Sequence, residues 1–323
     1  MNFRSLNTTG TVEGYVVVTK CEKKTSKKGD LFLDLVLADV SGEIVAKYWD
    51  FRQGESAELA VNDIIKVRGV LQQYNNQPQL KVDRYRFITE KDEVDLSQII
   101  PSSEYDPNRL FDELYSIASS FADGDLRLLT VSVYDEYKDR LIEWPAAFRL
   151  HHAMRGGLLY HTLSMVRMAQ AIMREYPSVD GDLLIAGTML HDIAKTEELH
   201  LGKSGLVDKY TPEGNLLGHL VLGCMDVERI GTRVGVGRET LLLIEHMLIS
   251  HHGEPEFGAA KRPLILEAEI LNAIDNLDAR VYEIEKALLD VAPGEMTAKQ
   301  WALEDRQFYN HARKSISATA KLF

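Results

Sequence analysis

The chain has 323 residues, 45% of them hydrophobic, and a formal net charge of -12; that is room for two domains with proper cores and excludes a chain disordered throughout. Its two cysteines, Cys21 and Cys224, form no CxxC pair, which argues against a disulfide framework or a thiolate metal site and suits a reducing, cytoplasmic setting. The opening MNFRSLNTTG has no apolar signal core, and no uncharged apolar stretch approaches the ~20 residues of a membrane span, so no membrane is expected among the partners.

The charge is uneven. Residues 1–90 hold 13 Lys and Arg against 12 Asp and Glu, and the rest of the chain holds 24 against 37. The acidity therefore belongs to the second part. An acidic protein still handles phosphates where metal ions supply local positive charge.

From residue 11 to 89 the hydrophobic period is two. Leu31, Leu33, Leu35 and Leu37 share one strand face, and Ile44, Ala46 and Tyr48 follow the turn DVSGE. The strands IIKVRGVLQ and QLKVDRYRFI flank the turn YNNQP, and the polar stretch RQGESAELAV between strands three and four has room for a helical turn. Five strands with that interruption resemble an OB-fold, the small Greek-key barrel. The resemblance implies a nucleic-acid-binding domain over residues 1–90. On such a barrel KKTSKKG, residues 23–29, rims the oligonucleotide face. Lys23, Lys24, Lys27 and Lys28 would then meet phosphates, and Phe32 and Trp49 would stack bases. The alternatives are a solvated lysine hairpin and two core aromatics.

Residues 91–106 are acidic and proline-bearing and read as a linker. Asp106-Pro107 looks like an N-cap followed by proline at the first helical position. From there the period is helical, with helices expected near 107–121, 126–140, 156–175, 181–195, 215–230, 238–251 and 264–290. The expected fold class is multidomain, an all-β OB-fold barrel followed by an all-α domain over 107–323.

The helical part carries an anomaly. Nine of the ten histidines lie between 151 and 252. The apolar run LLIAGTML leads straight into His191, Asp192 and Lys195, and burying such groups unpaired costs several kcal/mol. His161 in GGLLYHTLSM, His219 in LLGHLVLG, His251-His252 after EHMLIS and Asp275 in AEILNAIDNLDA repeat the oddity. A single histidine on an apolar face is usually a satisfied core residue, but this density on five helices points to a shared divalent metal centre. Imidazoles with carboxylates suit Mn²⁺, Fe²⁺, Zn²⁺ or Ni²⁺, and metal charge offsets the cost of burying the carboxylates.

The order His, His-Asp, His, His-His, Asp over residues 145–280 resembles the HD-domain metal-dependent phosphohydrolases, with HDIAK a close form of their defining segment. The resemblance implies that His161, His191, Asp192 and Asp275 hold one metal ion. A second ion would use Asp192 as a bridge with His219, His251 and His252, so one or two ions are expected. Lys195 resembles the lysine that follows His-Asp in many such enzymes and would contact a substrate phosphate or assist the leaving group; the alternative is a snorkelling surface lysine. Arg155 is a further phosphate candidate. His246 is expected to be structural, His200 and His311 to lie at the surface, and His151 and His152 to be bland or near substrate. The implied chemistry is in-line attack on phosphorus by water that the metal acidifies, oriented by Asp192. No Ser, Cys or Thr nucleophile is needed.

An OB module ahead of an HD domain, at this length, resembles the YhaM-type 3′→5′ exoribonucleases of bacteria. The resemblance spans nearly the whole chain and includes HHAMRGGLLYHTL, LHDIAK, GHLVLG and SHHGEPEFG. It implies a barrel that grips single-stranded RNA, or DNA, and feeds the 3′ end to the metal site, releasing 5′-mononucleotides. It also implies Mn²⁺ as the ion and a homo-oligomer. The alternatives are an HD phosphohydrolase of free or signalling nucleotides, or a binding module with a dead metal site. HHGEPEFGAAKRP lacks the Gly-Tyr-Pro element of cyclic-dinucleotide enzymes, and every ligand position is filled.

Overall fold

The computed structural model describes residues 10–26, 29–39, 41–74, 77–89, 92, 94, 99, 105–146, 156–202, 207–289 and 291–316. It divides into two compact units, residues 1–102 with 201–208, and residues 103–200 with 209–323.

The period-two segment folds into β1 (Gly10–Thr25), β2 (Leu31–Asp39), β3 (Gly42–Tyr48), β4 (Ile64–Tyr74) and β5 (Gln77–Phe87). They close into a barrel in the order β1-β2-β3-β5-β4. Closure removes the unpaired edges that an open sheet exposes. The long β1 pairs antiparallel with β4 along its first half and with β2 along its second. A register shift between Val18 and Lys20 lets it bend from one partner to the other. Val16, Val18, Leu33, Leu35, Leu37, Ala46, Ile65, Val67 and Leu80 fill the interior, and Leu31 packs partly buried at the rim. A second shift falls between Arg68 and Gly69, where a Cβ would run into the Lys81 carbonyl. Only glycine lets β4 and β5 approach there.

Between β3 and β4 the polar stretch makes one isolated turn and no longer helix. Ser56 donates its backbone N–H to the Arg52 carbonyl, four residues back as in a helix, and its hydroxyl accepts the Arg52 N–H at 2.9 Å. Most of the expected linker lies outside the described residues, but Ile99 within it is buried with Val17, Ala38 and Ile64 of the barrel unit.

The second unit holds α1 (Pro107–Ser119), α2 (Gly124–Glu143), α3 (Gly157–Glu175), α4 (Gly181–Leu190), α5 (Lys195–Glu198), α6 (Pro212–Leu216), α7 (Gly218–Val234), α8 (Arg238–Ser250) and α9 (Leu266–Leu289). Asp106 caps α1 as expected, its carboxylate accepting the Asn108 N–H. Asp123, Asp180 and Thr211 cap α2, α4 and α6 in the same way. α4 is buried from Leu183 to Leu190, and α3 from Gly157 to Val166. Among the described residues, no helix is long and apolar enough to cross a membrane.

Three expectations shift. The helix expected over 181–195 ends at Leu190; residues 191–194 form a turn before α5. The helix expected over 215–230 is two helices, broken where Gly218 takes φ +74°, a conformation glycine adopts without penalty. A two-stranded ribbon, β6 (Leu199–Leu201) and β7 (Val207–Tyr210), interrupts the helical run. The first break falls at His191, whose ring takes up a freed carbonyl, and the second beside His219, which meets the Glu198 carboxylate.

Candidate metal centre and nucleic-acid face

The buried histidines come from helix ends more than helix middles. His191 caps the C-terminus of α4, and its Nδ1 lies 2.8 Å from the Thr188 carbonyl oxygen. His251 caps α8 in the same way, with Nδ1 2.8 Å from the Leu248 oxygen. A helix's last carbonyls have no partner within the helix, so a histidine placed there donates its Nδ1–H to the carbonyl three residues back. His252 donates to the Phe257 oxygen at 2.8 Å. His219 is the second residue of α7, and Glu198 Oε2 takes its Nδ1–H at 2.9 Å while Oε1 accepts its backbone N–H. His161 lies on α3, with Nδ1 2.8 Å from Asp278 Oδ2. In all five rings a fixed acceptor holds Nδ1, so the tautomer places the Nε2 lone pair on the far side.

Those lone pairs converge. The groups His161-His191-Asp192, His191-His251-Asp275 and His219-His251-His252 each bring one ligand atom per residue to within 4.8 Å of the others. Asp192 stands between them. Its Oδ2 is 3.1 Å from His191 Nε2 and 3.8 Å from His161 Nε2, while its Oδ1 is 3.4 Å from His219 Nε2 and 3.8 Å from His251 Nε2. Asp275 Oδ1 is 3.3 Å from His161 Nε2. The Nε2 atoms of His191, His219 and His251 and Oδ1 of Asp192 are buried with no hydrogen-bond partner. Buried polar atoms are rarely left so. Several of them gathered in one cluster fit divalent cation binding, and the donor set of imidazole nitrogens and carboxylate oxygens suits it.

The electrostatics agree. Burial opposes ionisation of Asp192, but the neighbouring His191 and the Lys195 ammonium hold its carboxyl well below the usual range. Burial likewise opposes a charged Asp275, yet His161 holds it low. His161 is pushed up to about 10, because Asp275 and Asp278 outweigh its burial. Burial keeps His251 far below the usual imidazole value. Ionised Asp192 and Asp275 sit among the imidazoles, and the proton held on His161 is one that a bound cation would displace.

Lys195 is placed by the turn and not by a continuous helix face. It lies three residues after Asp192 along the turn, with Nζ 2.7 Å from Asp192 Oδ2 and its side chain only 13% exposed, so it is no snorkelling surface lysine. His246 accepts the Leu264 N–H on Nε2, away from the cluster. Arg155, His151 and His152 lie outside the described residues.

Two carboxylates went unforeseen, Asp278 and Glu198. Asp278 also accepts the Ser164 hydroxyl at 2.5 Å, which keeps it in place for His161. Glu198 is positioned through α5, where Tyr137 of α2 stands 2.9 Å from Glu197 Oε1 and 2.6 Å from Asp226 Oδ2 of α7. The signal for Asp278 was present: it lies one helical turn after Asp275 on the same helix. Glu198 is brought to His219 only by the break at Gly218.

On the barrel, Lys23 pairs with Glu58 at 2.6 Å, and Lys24 pairs with Asp34 and with Glu22. Lys27 and Lys28 lie outside the described residues. Phe32 is buried at 8% exposure, stacked at 4.4 Å beneath Trp49, which is 44% exposed. Phe32 therefore backs the platform, and Trp49 presents the open ring. They line a depression of about 900 Å³ with Asp30, Asp50 and Arg52.

Residues 158–280 match the HD domain family, and residues 11–88 match the OB-fold nucleic acid binding domain. The chain is 36% identical over 301 residues to the 3'-5' exoribonuclease YhaM of Listeria monocytogenes, covering 93% of this chain and 95% of that one. It is 36% identical over 299 residues to the 3'-5' exoribonuclease YhaM of Bacillus subtilis, covering 92% and 94%. With an alignment at this identity covering more than nine-tenths of the chain, the chain belongs to the 3'-5' exoribonuclease YhaM family.

Proposed function

We propose that this chain is a metal-dependent 3′→5′ exoribonuclease that shortens single-stranded RNA and releases 5′-mononucleotides, in the cytoplasm. The observation that carries the reading is the five-histidine arrangement, with every Nδ1 tied to an acceptor and the Nε2 atoms gathered about Asp192. The names of the relatives support the direction and an RNA substrate.

Two Mn²⁺ ions are the proposed occupants. His161, His191, Asp192 and Asp275 would hold one, and His219, His251 and His252 with Asp192 the other. The split of Asp192 between its two oxygens supports this bridging role. Such ions would lower the pKa of a water molecule and neutralise charge on the phosphoryl oxygens. Asp192 would orient that water by accepting its hydrogen bond. Lys195, kept charged beside Asp192 despite its burial, binds a non-bridging phosphate oxygen or steadies the departing 3′-oxygen. Asp278 and Glu198 hold the ligand rings rigid, so nothing reorganises when substrate enters. Trp49 stacks an incoming base.

The test is a single-stranded RNA labelled at its 5′ end, incubated with and without Mn²⁺ and resolved on a sequencing gel. A metal-dependent ladder that shortens from the 3′ end is expected. Intact RNA under Mn²⁺, Mg²⁺ and Co²⁺ alike would overturn the reading in favour of a free-nucleotide substrate.

A further inference from the structure

The barrel carries a second charged face that the aromatic platform does not use. On β1, β4 and β5 the register sets two rows across three strands. Glu13, Arg68 and Arg84 form one row, and Tyr15, Lys66 and Arg86 the other. The intervening Ile65 and Val67 point into the core, so these six belong to the outer side. They surround a depression of about 270 Å³ lined by Glu13, Lys66, Arg68, Arg84 and Arg86.

Four cations share this small area, and only two have carboxylate partners. Lys66 pairs with Glu13 at 3.1 Å and Arg86 with Asp92 at 2.5 Å. Arg68 and Arg84 stand directly opposite each other; among the described residues neither is within ion-pair distance of a carboxylate, and Glu13, opposite Arg68, attracts both at longer range. Like charges directly opposite across strands destabilise a sheet, and Glu13 offsets some of that cost. The platform face is the reverse case. There Lys23, Lys24 and Lys47 are each neutralised, by Glu58, by Glu22 with Asp34, and by Asp34. Among the described residues, the barrel's unmatched arginine pair is on β4 and β5, away from Phe32 and Trp49.

We infer that this outer face of β1, β4 and β5 binds the phosphate backbone of single-stranded RNA, as a second contact beyond the aromatic platform. The inference rests on the exoribonuclease reading. Each unpaired guanidinium presents a planar fork of donors suited to phosphate. Cations two residues apart on one strand stand about 7 Å apart, enough to reach separate phosphates. Val67 and Tyr85 lie among the residues that line the depression, but the rest are charged and four of the five are cations; the centre of a protein interface is depleted of charge, so this lining favours a nucleic-acid backbone over an acidic protein.

The experiment measures binding of the full-length chain to 5′-fluorescent RNA in EDTA, by anisotropy, so that hydrolysis does not intervene. RNAs of about twenty and about four nucleotides are compared across salt, since phosphate contacts are read from the salt slope. Two variants are used, Arg68→Gln with Arg84→Gln, and Glu13→Gln. Losing two phosphate contacts should lower the salt slope for the long RNA by about 1.4. Equivalently, the affinity gap between wild type and the double variant should shrink about sevenfold between about 50 and 200 mM salt. The short RNA, which cannot reach both faces, should show a much smaller gap. Glu13→Gln should tighten binding of the long RNA, because it removes an anion from the phosphate path and frees Lys66. A damaged fold would not produce that opposite sign. Unchanged slope and affinity in all variants, with wild type binding RNA normally, would overturn the inference, leave the exoribonuclease reading standing and turn attention to an acidic protein partner. Wild type that neither binds RNA nor degrades it with Mn²⁺ would overturn both.

Discussion

Asp278 shows how much of a metal site lies outside its ligands. It touches no proposed ion, yet it holds His161 Nδ1 at 2.8 Å. Replacing such an acceptor typically costs 10–100-fold in metal affinity, about 1.4–2.8 kcal/mol. Asp278→Ala is therefore expected to weaken Mn²⁺ binding by about that factor in calorimetric titration, and Asp278→Asn, which keeps an oxygen acceptor, by less. Equal affinity in all three proteins would mean that Asp278 does not orient the ring. Asp192→Ala should lower hydrolysis at least about 10³-fold, on the order of 4 kcal/mol, while RNA binding persists; surviving hydrolysis would overturn the ligand assignment. Away from the site, Asp92 gives a pH prediction. The Arg86 guanidinium and the Thr89 N–H hold its carboxyl well below the usual range. A carboxyl lowered in the folded state adds stability above its unfolded pKa of about 3.9 and loses it as pH falls toward the folded value. Urea unfolding of Asp92→Asn should show a smaller loss between neutral pH and acid than wild type does.

At the level of elements, breaks in regular structure do the positioning. α4 and α8 each end in a histidine that takes up its own helix's free carbonyl, so the ring direction is set by the helix end. Gly218 turns α7 so that His219 meets Glu198. In the barrel, Gly69 occupies the shift between β4 and β5, against the Lys81 carbonyl. Gly69→Val must push those strands apart, and overpacking of this kind costs about 1–3 kcal/mol. The barrel should unfold at correspondingly lower denaturant in a fluorescence titration of Trp49. An unshifted midpoint would show that the strands separate freely.

Across the whole molecule, the platform and the metal centre lie in different compact units with separate cores. Their contributions should therefore separate. Trp49→Ala removes the exposed ring of the platform, and stacking is worth about 1–3 kcal/mol per base. RNA affinity should fall by about that amount while Mn²⁺ affinity is unchanged. Asp278→Ala should do the reverse. If Trp49→Ala altered metal binding, the two units would not act independently.

Much of this was legible in the residues. The period-two run predicted the barrel, because one face of every strand must enter its core. Recurrent histidines on apolar helices predicted the site, because uncompensated polar burial costs too much to recur by chance. Asp106-Pro107 predicted a helix start from local capping alone. The limits share one cause. Periodicity reports which face of an element is buried, not where the element stops, so the helices expected over 181–195 and 215–230 ran past their breaks. Ion pairing is also a matter of approach in space. Lys23 and Lys24 of the first barrel loop looked available for phosphate, and the fold brings Glu58 to the one and Asp34 to the other. It leaves Arg68 and Arg84 facing each other, a consequence of a strand register that only the closed barrel sets. Residue types determined the chemistry this protein can hold. Tertiary structure decided which groups keep their charges and lone pairs unspent, since partners from distant segments meet only once the chain is folded.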